Sequence, residues 1–163
     1  MIRQLKIFRS LDPADRRMLL EALLLPGFIW LSFRGIGVPR TQSLLRRWAG
    51  AGRARQLAAG AAIRRASRAQ GIVKRNAGIG GNCLVRSLTL WTMLLRRGVP
   101  TDLRVGFRRR DSEIQGHAWL EYAHAPINEA LAEALSYVPY DEPISFDLWR
   151  QMRHTQPGEN SAP

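Results

Sequence analysis

The stretch "GGNCLVRSLTLWTMLLRRGVPTDLRVGFRR", residues 80 to 109, predicts a helix over 83–97 that is followed directly by a strand. Apolar residues recur from Leu84 to Leu95 at spacings of four, three and four, which places them on one face of a helix. Asn82 is a favourable N-cap, which makes Cys83 the first helical residue. Gly98 suits the left-handed position after a helix, and the proline that follows prevents the helix from continuing. The only cysteine of the chain is therefore expected at a helix N-terminus.

The segments after this helix predict an antiparallel sheet. "TDLRVGFRR" (101–109) alternates apolar and polar residues, and "GHAWLEY" (116–122) alternates so that His117, Trp119 and Glu121 share one face. Helices that precede a run of strands indicate the α+β class. The remaining predicted segments are a turn at 123–126, a third short strand or a loop at 127–130, a strand near 136–140 and a short helix near 145–153.

The N-terminal segment "LDPADRRMLLEALLLPGFIWLSFRG" (11–35) predicts a helix that begins at Pro13, a residue that suits the first helical position. The run from Met18 to Phe33 is apolar except for one glutamate and one serine, and Pro26–Gly27 interrupts it. Because a bilayer requires roughly 20 apolar residues, a kinked or broken pair of buried helices is favoured, and an interfacial membrane anchor is the minority interpretation. Short amphipathic helices broken at Gly50 and Gly52, and a basic helix over 64–76, are expected to follow.

Basic residues are concentrated in the first two thirds of the chain. The net charge is +12, and no acidic residue occurs between Glu21 and Asp102. This block favours an anionic partner, which would be nucleic acid, a membrane surface or an acidic peptide; an arginine-rich genome that places arginine on solvated faces explains it equally well. Nucleic acid is the least favoured partner, because no aromatic residue that could stack on a base occurs in 50–80.

Cysteine content and the N-terminal sequence bear on the compartment. A single cysteine excludes an intrachain disulfide and a cysteine-based zinc cluster, and it fits a reducing cytosol. The N-terminus lacks the apolar core and small-residue cleavage site of a signal peptide. We therefore expect a cytoplasmic protein with no cofactor and no metal, and peripheral contact with a membrane is the alternative.

Cys83 has two interpretations. On an apolar helix it is a core thiol, whereas at a helix N-terminus, where the dipole and the free N–H groups favour a thiolate, it is a candidate nucleophile. A cysteine nucleophile needs a base, and the base needs an orienting partner. Among the histidines, His117 starts a predicted strand, His124 lies in a turn, and His154 lies in the polar tail. From spacing alone, a core thiol and a half-buried strand histidine are the favoured interpretation.

A group that orients the histidine would come from the residues after the turn at 123–126. Asn128 and Glu129 are the polar side chains there, and either could accept a hydrogen bond from the imidazole. Glu121 shares a strand face with His117 but is expected to point past its ring. The spacing leaves the choice among these groups open.

Several motifs occur in a characteristic order: "CLVRSL" (83–88), "RRGV" (96–99), "LRVG" (103–106) and "GHAWLE" (116–121). Together they resemble the transglutaminase-like cysteine peptidases of lasso-peptide biosynthesis, and "LDPADRRMLLEALLL" (11–25) is similar to the N-terminal helix of the stand-alone, microcin-processing type. The resemblance covers most of residues 10–130. It implies a helical Arg-rich N-terminal extension at 1–76 and a transglutaminase-like (papain-like) catalytic core at 77–153. The polar composition of 154–163 separately predicts a disordered tail.

The same resemblance implies roles for particular residues. Cys83 would be the nucleophile and His117 the general base. The family usually carries an aspartate about a dozen residues after the histidine; Glu129 falls at that place and is the first choice, with Asn128 in reserve. The oxyanion would be bound by the Cys83 backbone N–H and one further donor, for which the asparagines at 76 and 82 are candidates.

The implied function is a leader peptidase, which removes the leader from a ribosomally synthesised lasso-peptide precursor before an ATP-dependent macrocyclase acts on the product. A separate leader-recognition protein would act in trans, because the N-terminal third of this chain is helical and not a β-rich peptide binder. Two alternatives differ in class. One is another acyl-transfer enzyme on the same scaffold, a transglutaminase or amidase; the other is a non-catalytic basic module that binds a membrane or nucleic acid.

Overall fold

This computed structural model describes residues 11–50, 58–77 and 81–140. The described segments form a four-stranded antiparallel sheet, in the order β3-β2-β1-β4, packed against helices, which agrees with the predicted α+β class. The helix expected near 145–153 and the tail at 154–163 lie outside the described residues. The elements are α1 (Pro13–Gly50), α2 (Ala59–Ala77), α3 (Cys83–Leu95), β1 (Asp102–Arg110), β2 (Glu113–Tyr122), β3 (Ala125–Pro126), α4 (Leu131–Leu135) and β4 (Val138–Pro139).

The break in α1 lies at Gly37 and not at Pro26–Gly27, so the predicted position of the kink was wrong. Helical backbone continues through Pro26, whereas Gly37 has φ 77° and ψ 168°. Glycine adopts this positive φ readily, and the residue after it precedes Pro39, which disfavours the helical region at that position. The Thr41 hydroxyl donates to the Gly37 carbonyl at 2.7 Å and stabilises the bend. Two helical arms therefore meet at Gly37.

The first arm of α1 has one buried face and one exposed apolar face. Met18, Ala22 and Ile29 are at most 1% exposed, but Leu24 and Leu31 on the other side are 66% and 65% exposed. The expectation that this whole run is buried was wrong. By length and composition α1 could cross a bilayer, with a mean hydropathy of 1.5 over its most apolar window, of which 22% is buried.

Helix α3 is the centre of the fold and is surrounded on all sides. It ends at Leu95, two residues before the predicted end, and Gly98 has the expected left-handed φ of 72°. Thr89 and Thr92 are fully buried, and their hydroxyls donate to carbonyls four residues earlier at 2.8 and 2.7 Å. Because these polar side chains are satisfied within the helix, the rest of its surface can be apolar.

The β1–β2 hairpin gives the sheet two different faces. Val105 and Ala118 are paired across the strands and belong to the core cluster that includes α3. On the other face Gly106 is paired with His117. A Cβ at Gly106 would lie 2.8 Å from the Val138 carbonyl oxygen, so this position has no room for a side chain. The missing side chain lets β4 approach the histidine.

Candidate active site

Cys83 lies at the N-terminus of α3 as predicted. The backbone N–H of Val85 donates to the Asn82 side chain at 3.0 Å, which caps the helix and places Cys83 at its first position. The thiol is free and half-buried. It lines a cavity of about 740 Å³, which is also lined by His117. The tertiary structure therefore brings together two residues that are 34 positions apart in the sequence.

His117 is paired with a carboxylate. Its Nε2 lies 3.0 Å from Glu129 Oε2, and its ring stacks on Tyr137 with centroids 4.9 Å apart and on Trp119 at 6.2 Å. An ionised carboxylate only accepts hydrogen bonds, so the tautomer of the neutral ring that pairs with it is the one with the proton on Nε2. Nδ1 of the neutral ring then has a free lone pair and is the basic nitrogen.

Glu129 Oε2 also contacts a cationic side chain. Arg86 Nη2 lies 3.7 Å from the oxygen that accepts from His117, and the Gln70 side chain donates to the Arg86 carbonyl at 2.8 Å. This arrangement holds the carboxylate between the histidine and the arginine. A second cavity of about 420 Å³ opens on this side, and its polar lining includes Lys74, Arg86 and Glu129 as well as His117.

Asn128 has a different position from its neighbour. Its Oδ1 accepts from the Leu120 backbone N–H at 2.8 Å, and its Nδ2 donates to Ser87 Oγ at 3.0 Å. Ser87 in turn donates to the Ala118 carbonyl at 2.9 Å. Both polar ends of the Asn128 side chain are thus used to tie the loop to β2 and α3, and Glu129 is the residue that contacts the imidazole.

The other polar residues singled out in the sequence lie elsewhere. Glu121 accepts from Arg104 Nε and from Trp119 Nε1, each at 3.0 Å, so it points away from the imidazole as expected. His124 is exposed in a turn, and its φ is 62°. His154 and the side chain of Asn76 lie outside the described part of the chain.

Tyr137 is a site residue that the sequence reasoning missed. Its ring covers one side of the His117 ring, and burial raises the pKa of its phenol; the Arg108 charge opposes this shift, while Glu133 and the nearby Cys83 add to it. A strand near 136–140 was expected, but only its pairing with β1 brings Tyr137 to the histidine. No spacing rule relates the two residues.

The site thus contains the three kinds of group that thiol-based acyl transfer uses: a cysteine at a helix N-terminus, a histidine, and a carboxylate paired with that histidine. The chain belongs to the transglutaminase-like superfamily, whose profile matches residues 31–140. This superfamily includes cysteine peptidases and transglutaminases, and cysteine-based acyl transfer agrees with the groups in this site. The matched region contains Cys83, His117 and Glu129, and it begins in α1, within the predicted extension. No curated protein and no solved structure matches the chain.

Proposed function

We propose that this protein is a cysteine peptidase that removes the leader from a ribosomally synthesised lasso-peptide precursor. The observation that carries the chemistry is the cavity that Cys83 shares with the His117–Glu129 pair. The observation that supports the substrate is the order of the motifs from "CLVRSL" to "GHAWLE", which resembles the leader peptidases. Cys83, His117 and Glu129 act as nucleophile, base and orienting acid in this proposal.

The proposed reaction has two halves. Nδ1 of His117 takes the thiol proton, and Cys83 Sγ attacks the scissile carbonyl carbon. The imidazolium then gives its proton to the leaving amine, the C–N bond breaks, and a thioester remains. In the second half His117 deprotonates a water, which attacks the thioester and releases the carboxylic acid and the thiol. Glu129 keeps the Nε2 proton in place and stabilises the imidazolium in both halves.

The proposal includes two protein partners. A leader-recognition protein would present the precursor in trans, and an ATP-dependent macrocyclase would close the released product. The exposed apolar face of α1 supports a docking partner, because a groove of about 620 Å³ there is lined by Leu24, Phe28 and Trp48. At the rim of the groove Arg96 stacks on the Trp48 ring, 3.7 Å from its centroid. Aromatic and arginine side chains are enriched at protein interfaces.

We place the enzyme in the cytoplasm, where the thiol stays reduced. Peripheral contact with a membrane is the alternative use of the apolar face of α1. Met18 and Ile29 of the same helix are buried in the core. A bilayer-spanning α1 would have to give up these contacts, so contact in the plane of the interface is the form of membrane binding that the fold favours.

The test is to incubate the purified protein with a candidate precursor and the recognition protein and to follow the products by mass spectrometry. We expect leader release by the wild-type protein and none by Cys83→Ala or His117→Ala. His124→Ala, which changes an exposed histidine in a turn, is the matched control and should retain full activity. Cleavage by Cys83→Ala would refute the site assignment.

A transglutaminase or amidase is the second candidate, since the superfamily includes transglutaminases. Hydrolysis leaves a free carboxylic acid, whereas transamidation joins the acyl group to a new amine, so the product masses distinguish the two. The non-catalytic basic module predicts neither product. It predicts salt-sensitive binding to an anionic surface that survives Cys83→Ala.

A further inference from the structure

The cavity beside Cys83 is lined mainly by apolar side chains. These come from three different elements, with Phe33 and Val38 from α1, Leu84 from α3, and Val105 and Phe107 from β1. Phe33, Val38 and Phe107 are only partly buried, although each of them packs against the main hydrophobic core. Apolar surface that remains uncovered next to a nucleophile is surface that a bound group can cover favourably.

The two cavities that meet at His117 differ in chemistry. The one on the Glu129 side contains Lys74, Arg86 and Gln70, whereas the cationic residue on the Cys83 side is Arg34. The Arg34 side chain makes a cation–π contact with the Trp30 ring, with its guanidinium carbon 4.9 Å from the ring centroid. A polar or charged substrate group would therefore be better accommodated on the Glu129 side, and an apolar group on the side of the thiol.

The bend in α1 brings the helix to this site. Phe33 and Val38 lie on either side of Gly37, whose positive φ redirects the chain. Phe107 is paired with Gly116 across the hairpin, and a Cβ at Gly116 would be in ordinary van der Waals contact with its ring, at 3.4 Å. The bend in α1 thus brings Phe33 and Val38 to the apolar wall.

We propose that this cavity binds an apolar side chain of one of the two residues on the acyl side of the scissile bond, and that Phe33 and Val38 form part of its wall. The proposal rests on the proposed function for the identity of the scissile bond. It adds a substrate preference, for residues the size of leucine next to the bond that is cleaved. It also gives α1 a role in specificity.

The experiment measures covalent labelling of Cys83 by three dipeptidyl vinyl sulfones, Leu-Leu, Gln-Leu and Leu-Gln. The thiol sulfur adds to the vinyl carbon on the peptide side, which is beta to the sulfone, and the proton goes to the carbon next to the sulfone. Nothing leaves, so intact mass reports the adduct. Glutamine is neutral, so the positive charge of the protein does not affect the comparison. We expect one of the two glutamine probes to react about tenfold or more slowly than Leu-Leu.

Two variants locate the preference. Val38→Glu should abolish the difference in labelling rate between leucine and glutamine at the dipeptide position where the wild-type protein prefers leucine. Ile36→Glu places the same charge on α1 at a residue that is 41% exposed and does not line the cavity, and it should keep the preference. Equal labelling rates for all three probes in the wild-type protein would overturn the proposal, as would an unchanged preference in Val38→Glu.

Labelling and leader removal can fail independently. A protein that shows the leucine preference but does not cleave the precursor would retain this subsite and refute the proposed function. A protein that cleaves the precursor but reacts at equal rates with all three probes would support the proposed function and refute this subsite. The comparison of probes in the wild-type protein stands even if Val38→Glu does not fold.

Discussion

Replacing Ser87 by alanine should lower the free energy of unfolding by about 2 to 4 kcal/mol. Ser87 is fully buried; its hydroxyl donates to the Ala118 carbonyl at 2.9 Å and accepts from Asn128 Nδ2 at 3.0 Å. The substitution removes both hydrogen bonds and leaves the amide of Asn128 without this partner. Each buried group that loses its hydrogen bond costs about 1 to 3 kcal/mol, so two such losses amount to about 2 to 6 kcal/mol. The expected change lies in the lower part of this range because the bond between Asn128 and Ser87 is only partly buried.

Urea unfolding followed by tryptophan fluorescence measures this change, because Trp91 and Trp119 are buried at 7% and 2% exposure. With a slope of about 1 to 3 kcal/mol per molar urea, the midpoint should fall by on the order of 1 to 2 M while the slope stays unchanged. Ser43→Ala, at an exposed serine of α1, is the control and should change stability by no more than about 0.5 kcal/mol. A Ser87→Ala protein as stable as this control would show that the Ser87–Asn128 network does not hold the loop.

Three further changes address the site and its surroundings. Arg86→Gln should lower kcat for leader removal about tenfold to a hundredfold, because Glu129 loses a cation 3.7 Å away that helps to position it, and Arg86→Lys should restore part of the rate. Gly106→Ala should destabilise the fold by about 1 to 3 kcal/mol in urea, because its Cβ would lie 2.8 Å from the Val138 carbonyl oxygen. Burial raises the pKa of Tyr137 above its ordinary value of 10.0. The protonated phenol therefore contributes its full stabilisation below pH 10.0, and this contribution is lost as the pH rises through the raised pKa of Tyr137. Tyr137→Phe should flatten this part of the curve of stability against pH.

Each of these predictions has an outcome that contradicts it. A change in KM alone for Arg86→Gln would mean that the arginine binds substrate and does not position Glu129. Wild-type stability of Gly106→Ala would mean that β4 can move away from β1 without cost. Parallel stability curves for Tyr137→Phe and the wild-type protein above pH 10.0 would mean that the phenol is not shielded from water.

Features that depend on neighbouring residues were predictable from the amino-acid order. The start of α3 at Cys83 follows from the Asn82 cap, and its end follows from Gly98, because caps act over three or four residues. The alternation in "GHAWLEY" predicted that Ala118 and His117 face opposite sides of a strand. The break in α1 was predicted at Pro26, and this prediction was wrong. The chain bends at Gly37, where a positive φ combines with the proline two positions later.

The relation between Cys83 and His117 did not follow from spacing, which favoured a core thiol and a half-buried strand histidine. The resemblance to a family suggested their roles, and those roles stay a prediction until they are tested. The choice between Asn128 and Glu129 is a matter of which side chain the loop directs at the imidazole. That direction results from the contacts of the loop with Ser87 and Leu120, which are 41 and eight residues away along the chain.

Local sequence thus specified the start of α3 and the two faces of β2, since hydrogen bonds and periodicity act over a few residues. It did not specify the start of α2 at Ala59, which was expected at 64, or the strand β3 at Ala125–Pro126, where a turn was expected. It does not specify which faces meet. The cavity around Cys83 requires α1 to bend at Gly37 and β2 to present His117, and the stacking of Tyr137 requires β4 to pair with β1. These arrangements depend on packing between segments that are far apart in the chain, and that packing is a property of the folded structure alone.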